Sequence, residues 1–324
     1  MMMITFKRLL VLASLWLAPP LAAQDFPLTI EHKFGTTIIP ARPDRVASLD
    51  YGGIDNLLAV GVSPVTVRQW RPMDGFAFTA GPWAAGLMTR EPVLLDAELD
   101  LETIARTNPD VIIALYSGID AAIYDKLSLI APVVAVPEGV GDYALPWDER
   151  ALLAARAVGQ EQEAARRITA IRDRLARVKA DHPQWAGQTA VIASFSDGVA
   201  TAFTRHDGRT TFILDLGFAL PAALEELSDN QTFSLDLSPE DIAPIDADVL
   251  LWYSGADRRH EIETYPARPF LRAHQTGGEV FLPDEVIAAF ARLSLLSIPT
   301  MIDAMVPLLQ AAADGDPATP VPLD

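Results

Sequence analysis

Residues 101–118 read LETIARTNPDVIIALYSG, and residues 239–255 read PEDIAPIDADVLLWYSG. From the glutamate to the aspartate, the two stretches match at an offset of 138 residues, which separates Glu102 from Glu240 and Asp110 from Asp248. Each stretch combines a short helical pattern with an apolar run and then reaches Tyr-Ser-Gly, so each predicts one helix–strand unit of an α/β sheet. One half of the chain therefore repeats a unit of the other half, which predicts two lobes.

The segment between the two copies has a different pattern. A charged helical stretch runs from Gln160 to about Ala180, and His182-Pro183 ends it. Its apolar positions form a single stripe, at Ile168, Ile171, Leu175 and Val178. Outside this stretch, short apolar runs alternate with amphipathic ones, as in parallel sheets that are covered on both faces. The predicted fold class is α/β, with two lobes built on central sheets, one long rigid helix joining them, and a ligand cleft between them.

Composition excludes several classes of protein. The 324 residues include 43 Asp and Glu against 25 Lys and Arg, a net charge of −18, which disfavours binding to nucleic acid. Half of the residues are hydrophobic, which is enough for the cores of about two domains. The chain contains no cysteine, which excludes disulfides, iron–sulfur clusters, thiol nucleophiles and a lipid-anchored N-terminal cysteine.

The N-terminal residues have the layout of a secretory signal. Lys7 and Arg8 precede an apolar run over 9–18, and small residues follow up to Ala23. A membrane-spanning helix would need about 20 apolar residues, about twice the length of this run. We therefore expect cleavage after Ala23 and a periplasmic protein without a lipid anchor. The predicted organisation is a signal peptide at 1–23, an N-terminal lobe at 24–147, a connecting helical segment at 148–182, a C-terminal lobe at 183–313 and a flexible tail at 314–324.

Several motifs together resemble one family. They are RVASLD at 45–50, NLLAVGVSP at 56–64, the segments 100–112 and 237–251, and PFLRA at 269–273. The chain resembles the periplasmic binding proteins of ABC importers for ferric siderophores, most closely the ferric hydroxamate and ferric dicitrate binders of the class with a helical backbone. The resemblance implies a shallow cleft, little hinge closure, capture of a ferric siderophore, and delivery to an ABC permease dimer in the inner membrane. It also implies a monomer that is no enzyme, with iron present only inside its chelate and with no cofactor or protein ligand to the metal.

Aromatic and basic residues follow the predicted strands, where ligands sit in open parallel sheets. Aromatic rings suit the apolar periphery of a ferric chelate, and arginine forks suit its charged oxygens. In similar proteins an aromatic lies near position 233, and a polar residue lies near position 292, at the start of a C-terminal helix. The alternative is that the rings cover strand ends and the arginines are solvated surface charges. The predicted ligand-binding residues are Tyr51, Trp70, Arg71, Tyr116, Arg205, Phe233, Tyr253, Arg258 and Arg292.

Glu102 and Glu240 hold equivalent places in the repeat, each at the predicted start of a short helix. The resemblance implies that they dock on arginines of the permease, one from each lobe. The alternative is that each glutamate stabilises its own helix, because a carboxylate in the first turn interacts favourably with the helix macrodipole. Both roles are compatible.

The sequence leaves the ligand open. Ferric hydroxamate binders generally carry an arginine just before the helix at 101–107, where this chain reads DAELD at 96–100. A citrate-type, catecholate or mixed chelate, haem and a corrinoid all stay possible ligands. A bare metal ion held by His206 and His260 is a further alternative.

The competing class is a secreted α/β hydrolase-like enzyme. The chain has no GxSxG elbow, phosphate-binding loop or HExxH helix, so we predict no catalytic residues.

Overall fold

Two five-stranded sheets form the centres of two lobes in the computed structural model. The structure describes residues 25–52, 54–69, 76, 79–228, 232–238 and 240–321. This architecture confirms the predicted α/β class with central sheets in two lobes. Among the described helices, none has both the length and the apolar character required to cross a membrane.

The N-terminal lobe begins with a hairpin and continues as an all-parallel sheet with strand order β5-β4-β3-β6-β7. The central strands β3 and β6 are buried along their whole length, as their continuous apolar sequences predict. The elements are β1 (Leu28–His32), β2 (Gly35–Ile39), β3 (Val46–Ser48), α1 (Asp55–Ala59), β4 (Thr66–Arg68), β5 (Val93–Leu95), α2 (Leu101–Arg106), β6 (Val111–Ala114), α3 (Ala121–Ser128) and β7 (Val133–Ala135).

Two helices connect the lobes, α4 (Trp147–Ala157) and α5 (Glu161–Asp181). The 21-residue helix α5 buries Ile168, Ile171 and Leu175 of the predicted stripe, leaves Val178 partly buried, and exposes its charged face. Pro146 takes the capping position of α4, and Asp148 lies in the first turn of that helix. Its carboxylate still faces the positive end of the helix dipole from there.

The C-terminal lobe has strand order β10-β9-β8-β11-β12, in which β8, β11 and β12 run parallel while β9 runs antiparallel to β8 and β10. A single tight turn joins β8 to β9, so these two strands run antiparallel, whereas the strands of the first lobe's central sheet all run parallel. The elements are β8 (Ala190–Ser196), β9 (Val199–Phe203), α6 (Gly208–Asp215), α7 (Ala222–Leu227), β10 (Ser234–Asp236), β11 (Val249–Trp252), α8 (Arg259–Glu263), α9 (Arg272–Thr276), β12 (Glu279–Phe281), α10 (Asp284–Arg292) and α11 (Ser297–Ala312).

The repeated stretches occupy equivalent places in the two sheets. Strands β6 and β11 are each fourth in their sheet order. The carboxylate of Asp110 accepts the main-chain N–H of Arg45 at 2.9 Å, and that of Asp248 accepts the N–H of Thr189 at 2.7 Å. Arg45 and Thr189 directly precede the neighbouring strands β3 and β8, so each aspartate ties the repeated unit to the middle of its sheet.

One expected helix of the repeat is absent. Glu240 lies in a turn, and the segment that follows forms only a 3₁₀ turn at Ala243–Ile245. Pro244 lies inside this segment and has no N–H for a helical hydrogen bond, whereas the first copy has no proline before position 109.

The C-terminal helix expected after position 292 is present as α11, which begins at Ser297, and the separate helix α10 precedes it. Leu293 separates α10 from α11 with a φ of 42°, a left-handed conformation that ends a helix. Arg292 is therefore the last residue of α10 rather than the start of a helix, and the negative end of the dipole favours its charge.

The lobes share one continuous hydrophobic core. A cluster of buried side chains runs from Ile30 in the first lobe through Ile171 of α5 to Met305 of α11. Hydrogen bonds also cross the junction, from Ser294 Oγ to the Asp55 carboxylate at 3.0 Å and from the Leu295 N–H to Asn56 Oδ1 at 3.0 Å. The exact lobe boundaries given above stay predictions.

Candidate ligand-binding cleft

Three tyrosines form one wall of the cleft, here called the tyrosine wall: Tyr51, Tyr116 and Tyr143. Tyr51 and Tyr116 follow the carboxyl ends of β3 and β6, and the N–H of Tyr51 donates to the carbonyl of Tyr116 at 2.9 Å. The Tyr143 ring lies 6.3 Å from the ring of Tyr51 and 5.0 Å from that of Tyr116, centroid to centroid. The adjacent strands β3 and β6 thus bring two separate loops to the same sheet edge.

Two buried arginines support this wall. The guanidinium of Arg68 lies 4.2 Å from the Tyr51 ring, and Arg68 donates to the carbonyls of Ala97 (2.9 Å) and Ser117 (3.1 Å). The guanidinium of Arg150, on α4, lies 4.7 Å from the Tyr116 ring. Burial lowers the pKa of both arginines, because the low-dielectric interior disfavours their charged form.

The opposite wall comes from the C-terminal lobe and centres on Tyr253, which follows β11. The guanidinium of Arg209 lies 3.6 Å from the Phe203 ring and 4.8 Å from the Tyr253 ring. Asp207 holds Arg209 by two hydrogen bonds of 2.7 Å each. Burial raises the pKa of Tyr253, and the charge of Arg209 opposes that rise.

Arginines link the walls. The charge of Arg209 acts on Tyr116 as well as on Tyr253. Arg292 donates from Nη1 to the carbonyl of Tyr51 at 2.8 Å, and Arg150 donates from Nη2 to the carbonyl of Arg292 at 2.7 Å. The cleft is therefore lined from both lobes at once.

Two buried carboxyl groups lie beneath the cleft. Asp50 accepts the N–H of Tyr116 at 2.8 Å, and Asp55 accepts Trp83 Nε1 at 2.5 Å. Burial raises the pKa of both, and their hydrogen bonds and the nearby arginines oppose the rise.

A cavity of about 260 Å³ opens at the carboxyl ends of β11 and β12, next to Tyr253. Its lining is mixed, with Phe281 and Pro283 beside the charged Arg259 and Asp284. This volume lies just below the range for small-molecule sites, which begins at about 300 Å³.

The structure brings four of the predicted residues to the cleft: Tyr51, Tyr116, Tyr253 and Arg292. Of the others, Arg205 pairs with Glu225 on the surface at 2.9 Å, and Arg258 pairs with Glu261 at 3.2 Å. Phe233 is 55% exposed. Trp70 and Arg71 lie outside the described residues. Ligand contact by any of the nine stays a prediction.

Sequence reasoning missed Tyr143, Arg68, Arg150 and Arg209. Arg68 had a local signal, because it is the last residue of the apolar strand β4. Arg150 and Arg209 lie on helices α4 and α6, where an arginine looks like any solvated helical charge until the packing is known. Among the described residues, no group of three or more histidine, aspartate or glutamate side chains is placed to hold a metal ion.

The docking glutamates lie on the surface. Glu102 occupies the first turn of α2 and bonds Arg106 at 3.1 Å, while Asp100 caps that helix by accepting the Thr103 N–H at 3.0 Å. Glu240 is exposed in its turn. The helix-stabilising alternative therefore applies to Glu102 and not to Glu240.

The chain is similar to proteins of known class. The family model for the periplasmic binding protein matches residues 46–277. The probable siderophore-binding lipoprotein YfiY of Bacillus subtilis is 32% identical over 249 residues, which cover 73% of this chain and 72% of YfiY.

Two crystal structures share the fold. A periplasmic solute binding protein from Mycobacterium smegmatis has a TM-score of 0.78 and 32% identity, covering 88% of this chain and 98% of its own. PiaA of Streptococcus pneumoniae, solved in complex with ferrichrome, has a TM-score of 0.74 and 27% identity, covering 89% of this chain and 99% of PiaA.

The name of YfiY corrects one expectation. YfiY is a lipoprotein, which points to a lipid-anchored protein and contradicts our prediction of a periplasmic protein without a lipid anchor. That prediction rested on the lack of cysteine in the chain, and we withdraw it.

Proposed function

Because the chain belongs to the periplasmic binding protein family, we propose that it binds a ferric siderophore between its lobes and delivers the chelate to an ABC permease. The observation that carries this proposal is the facing pair of walls, with the tyrosine wall on one side and Tyr253 with Arg209 on the other. Rings and guanidinium groups from both lobes match a ligand with an apolar periphery and charged chelating oxygens.

The comparisons support this choice of ligand. YfiY is named as probably siderophore-binding, and PiaA was solved in complex with ferrichrome. We propose that iron enters only inside its chelate, and that the protein acts as a monomeric carrier rather than as an enzyme. The signal-like segment at 1–23 belongs to the same proposal as an export signal.

Binding is tested by titrating the protein with ferric siderophores and following its tryptophan fluorescence and melting temperature. We expect stoichiometric quenching and a higher melting temperature, because a ligand that binds only the folded state stabilises it. The chelate should be recovered chemically unchanged. Turnover of the compound would instead support the enzyme alternative, and a lack of response to every chelate tested would overturn the proposal.

Docking on the permease is the second part of the proposal. Glu102 and Glu240 are exposed acidic groups at equivalent places in the two lobes, which suits a permease dimer with paired arginines. The double variant Glu102→Lys/Glu240→Lys should keep its chelate affinity and lose stimulation of the transporter's ATPase. Glu31→Lys, at an exposed position of β1, is the control. Equal stimulation of the ATPase by the natural protein, the double variant and the control would contradict the docking role.

A further inference from the structure

The N-terminal hairpin contacts two loops of the cleft through one residue, Lys33, which lies in the turn between β1 and β2. Its ammonium group Nζ forms an ion pair with Asp142 and donates a hydrogen bond to the carbonyl of Ile119 at 3.2 Å. Ile119 belongs to the loop that follows β6, and Asp142 belongs to the loop between β7 and α4. These are the loops that carry Tyr116 and Tyr143 of the tyrosine wall. One side chain therefore joins two loops that are separate in the sequence.

The hairpin holds Lys33 in place for these contacts. The main-chain N–H of Lys33 donates to the carbonyl of Val136 at 3.0 Å. The neighbouring Phe34 ring stacks on the Tyr124 ring of α3 at 4.7 Å, and Nζ of Lys33 lies 4.7 Å from the Phe34 ring, a favourable contact for a cation. The side chain of Lys33 is 23% exposed, so its ion pair with Asp142 is screened less than a pair on the open surface.

The loop that carries Tyr143 has little else to fix it. Residues 136–146, between β7 and α4, contain neither helix nor strand. The main-chain hydrogen bonds within the loop close local turns, at 3.0 and 3.3 Å. Within the part of the chain that the structure describes, the bond from Lys33 to Asp142 is the one hydrogen bond that joins residues 137–145 to another segment. Without that bond, packing alone would hold the loop.

The position of Asp142 makes its ion pair relevant to the wall, because the next residue is Tyr143. The Tyr143 side chain is 47% exposed, so burial by itself does not fix its ring. Its ring packs edge to face against the ring of Tyr116, whose loop Lys33 also contacts. A half-exposed ring on an unrestrained loop would lose conformational freedom when a ligand binds, and that loss would lower the affinity.

We propose that Lys33 is a positioning residue for the ligand-binding cleft, an inference that rests on the proposed function. Lys33 holds the loops of Tyr116 and Tyr143 together, so that the tyrosine wall is formed before the ligand binds. It acts on affinity through Tyr143 and not through a contact of its own with the ligand. The two-stranded hairpin at the start of the chain thus supports the cleft from outside the central sheet.

The first test compares chelate affinities on the full chain. The probe is whichever of ferrichrome, ferric citrate and a ferric tricatecholate binds the natural protein most tightly. Lys33→Gln should weaken binding of that probe by about tenfold or more, whereas Lys33→Arg keeps the charge and should retain most of the affinity. Lys126→Gln, at an exposed position in the last turn of α3, is the matched control.

The outcomes of this comparison separate the two proposals. Equal affinity of Lys33→Gln and Lys126→Gln for the probe would overturn the positioning role and leave the proposed function intact. Failure of the natural protein to bind any of the three chelates would overturn both. If Lys33→Gln does not fold, Asp142→Asn removes the charge of the same ion pair from the side of the loop and takes its place.

A double-mutant cycle distinguishes positioning from general destabilisation. Tyr143→Ala removes the ring that Lys33 positions, so adding Lys33→Gln to that variant should lower the affinity little further. Additive losses would show that Lys33 does not act through Tyr143 and would overturn the inference.

Amide hydrogen exchange tests the same role without a ligand. Residues 137–145 should exchange faster in Lys33→Gln than in the natural protein or in Lys126→Gln, because the loop opens more often. The amides of α5 should exchange at the same rate in all three proteins. Unchanged exchange of residues 137–145 in Lys33→Gln would contradict the inference.

Discussion

Glycine at position 118 allows Tyr143 to pack over the tyrosine wall. Gly118 has a φ of +64°, and a Cβ added there would lie 2.2 Å from Tyr143 Oη. Only a residue without a side chain combines the left-handed backbone with this close approach. The Tyr-Ser-Gly motif of the first repeat thus has a steric role at the cleft.

Gly118→Ala should destabilise the protein and displace Tyr143. We expect the free energy of unfolding to fall by more than the roughly 1–2 kcal/mol that a left-handed alanine costs by itself. Gly139→Ala measures that cost alone, because Gly139 has a φ of +77° and no atom within 4 Å of the added Cβ. Denaturant unfolding of both variants compares them, and equal losses would contradict the steric role.

The burial of Asp55 makes the stability of the folded protein depend on pH. Its pKa is raised by burial, against the opposing effects of the Trp83 hydrogen bond and the charge of Arg292. The folded protein therefore binds this proton more tightly than the unfolded chain does. The contribution of Asp55 to the free energy of unfolding therefore falls as the pH rises. The fall begins at the pKa of the group in the unfolded chain, about 3.9, and continues through the raised pKa in the folded protein.

Asp55→Asn should raise the melting temperature at pH 7, because it removes a charge that is unfavourable in the folded state. The gain over the natural protein should shrink as pH falls towards 4, where the natural carboxyl becomes protonated. Thermal unfolding at a series of pH values measures the difference. Asp173→Asn, at an exposed site of α5, is the control for loss of a negative charge. A variant less stable than the natural protein at pH 7 would contradict the expectation.

At the scale of elements, α5 connects the lobes through one apolar stripe. Ile168, Ile171 and Leu175 are each at most 6% exposed, while the opposite face of the helix carries paired charges such as Glu163 with Arg167. Surface ion pairs contribute little stability, so packing of the stripe holds the helix in place.

Ile171→Ala should lower the free energy of unfolding by about 2–5 kcal/mol, because it removes buried methyl groups and leaves a cavity. Asp173→Ala, two residues away on the exposed face, should change it by no more than about 0.5 kcal/mol. Equilibrium unfolding in urea compares the two. Similar small effects would mean that the stripe does not anchor the helix.

At the scale of the whole molecule, the lobes are fastened together in several places. The core is continuous through α5 and α11, and Arg150, Arg292 and Ser294 bond across the junction. Large lobe rotation would break these contacts together. The structure therefore favours a cleft that is preformed rather than closed by its ligand.

We expect the radius of gyration, measured by small-angle X-ray scattering, to change by less than about 1 Å when a ferric chelate binds. The junction variant Ser294→Ala, which loses the hydrogen bond to Asp55, should show a larger change if that bond restrains the lobes. A decrease of several ångströms in the natural protein would indicate hinge closure and contradict this expectation.

Parts of the fold could be predicted because the signals are local. The apolar strands β3, β6 and β11 and the stripe of α5 follow from runs and periodicities in the sequence. The break at Leu293 could not, because a leucine carries no preference for a left-handed conformation and its packing holds it there. For the same reason, the sequence analysis wrongly placed Arg292 at the start of a helix.

The sequence by itself determined the repeated unit, the connecting helix and the tyrosines at strand ends, since each depends on neighbours along the chain. Tertiary structure alone decided which arginines meet those tyrosines. Arg68, Arg150 and Arg209 come from a strand and two helices that are distant in sequence, and only packing brings them to the cleft. Arg205 and Arg258 looked equivalent in the sequence but found acidic partners on the surface. The physical reason is that the environment of a charge depends on burial and on counter-charges, which are properties of the folded chain.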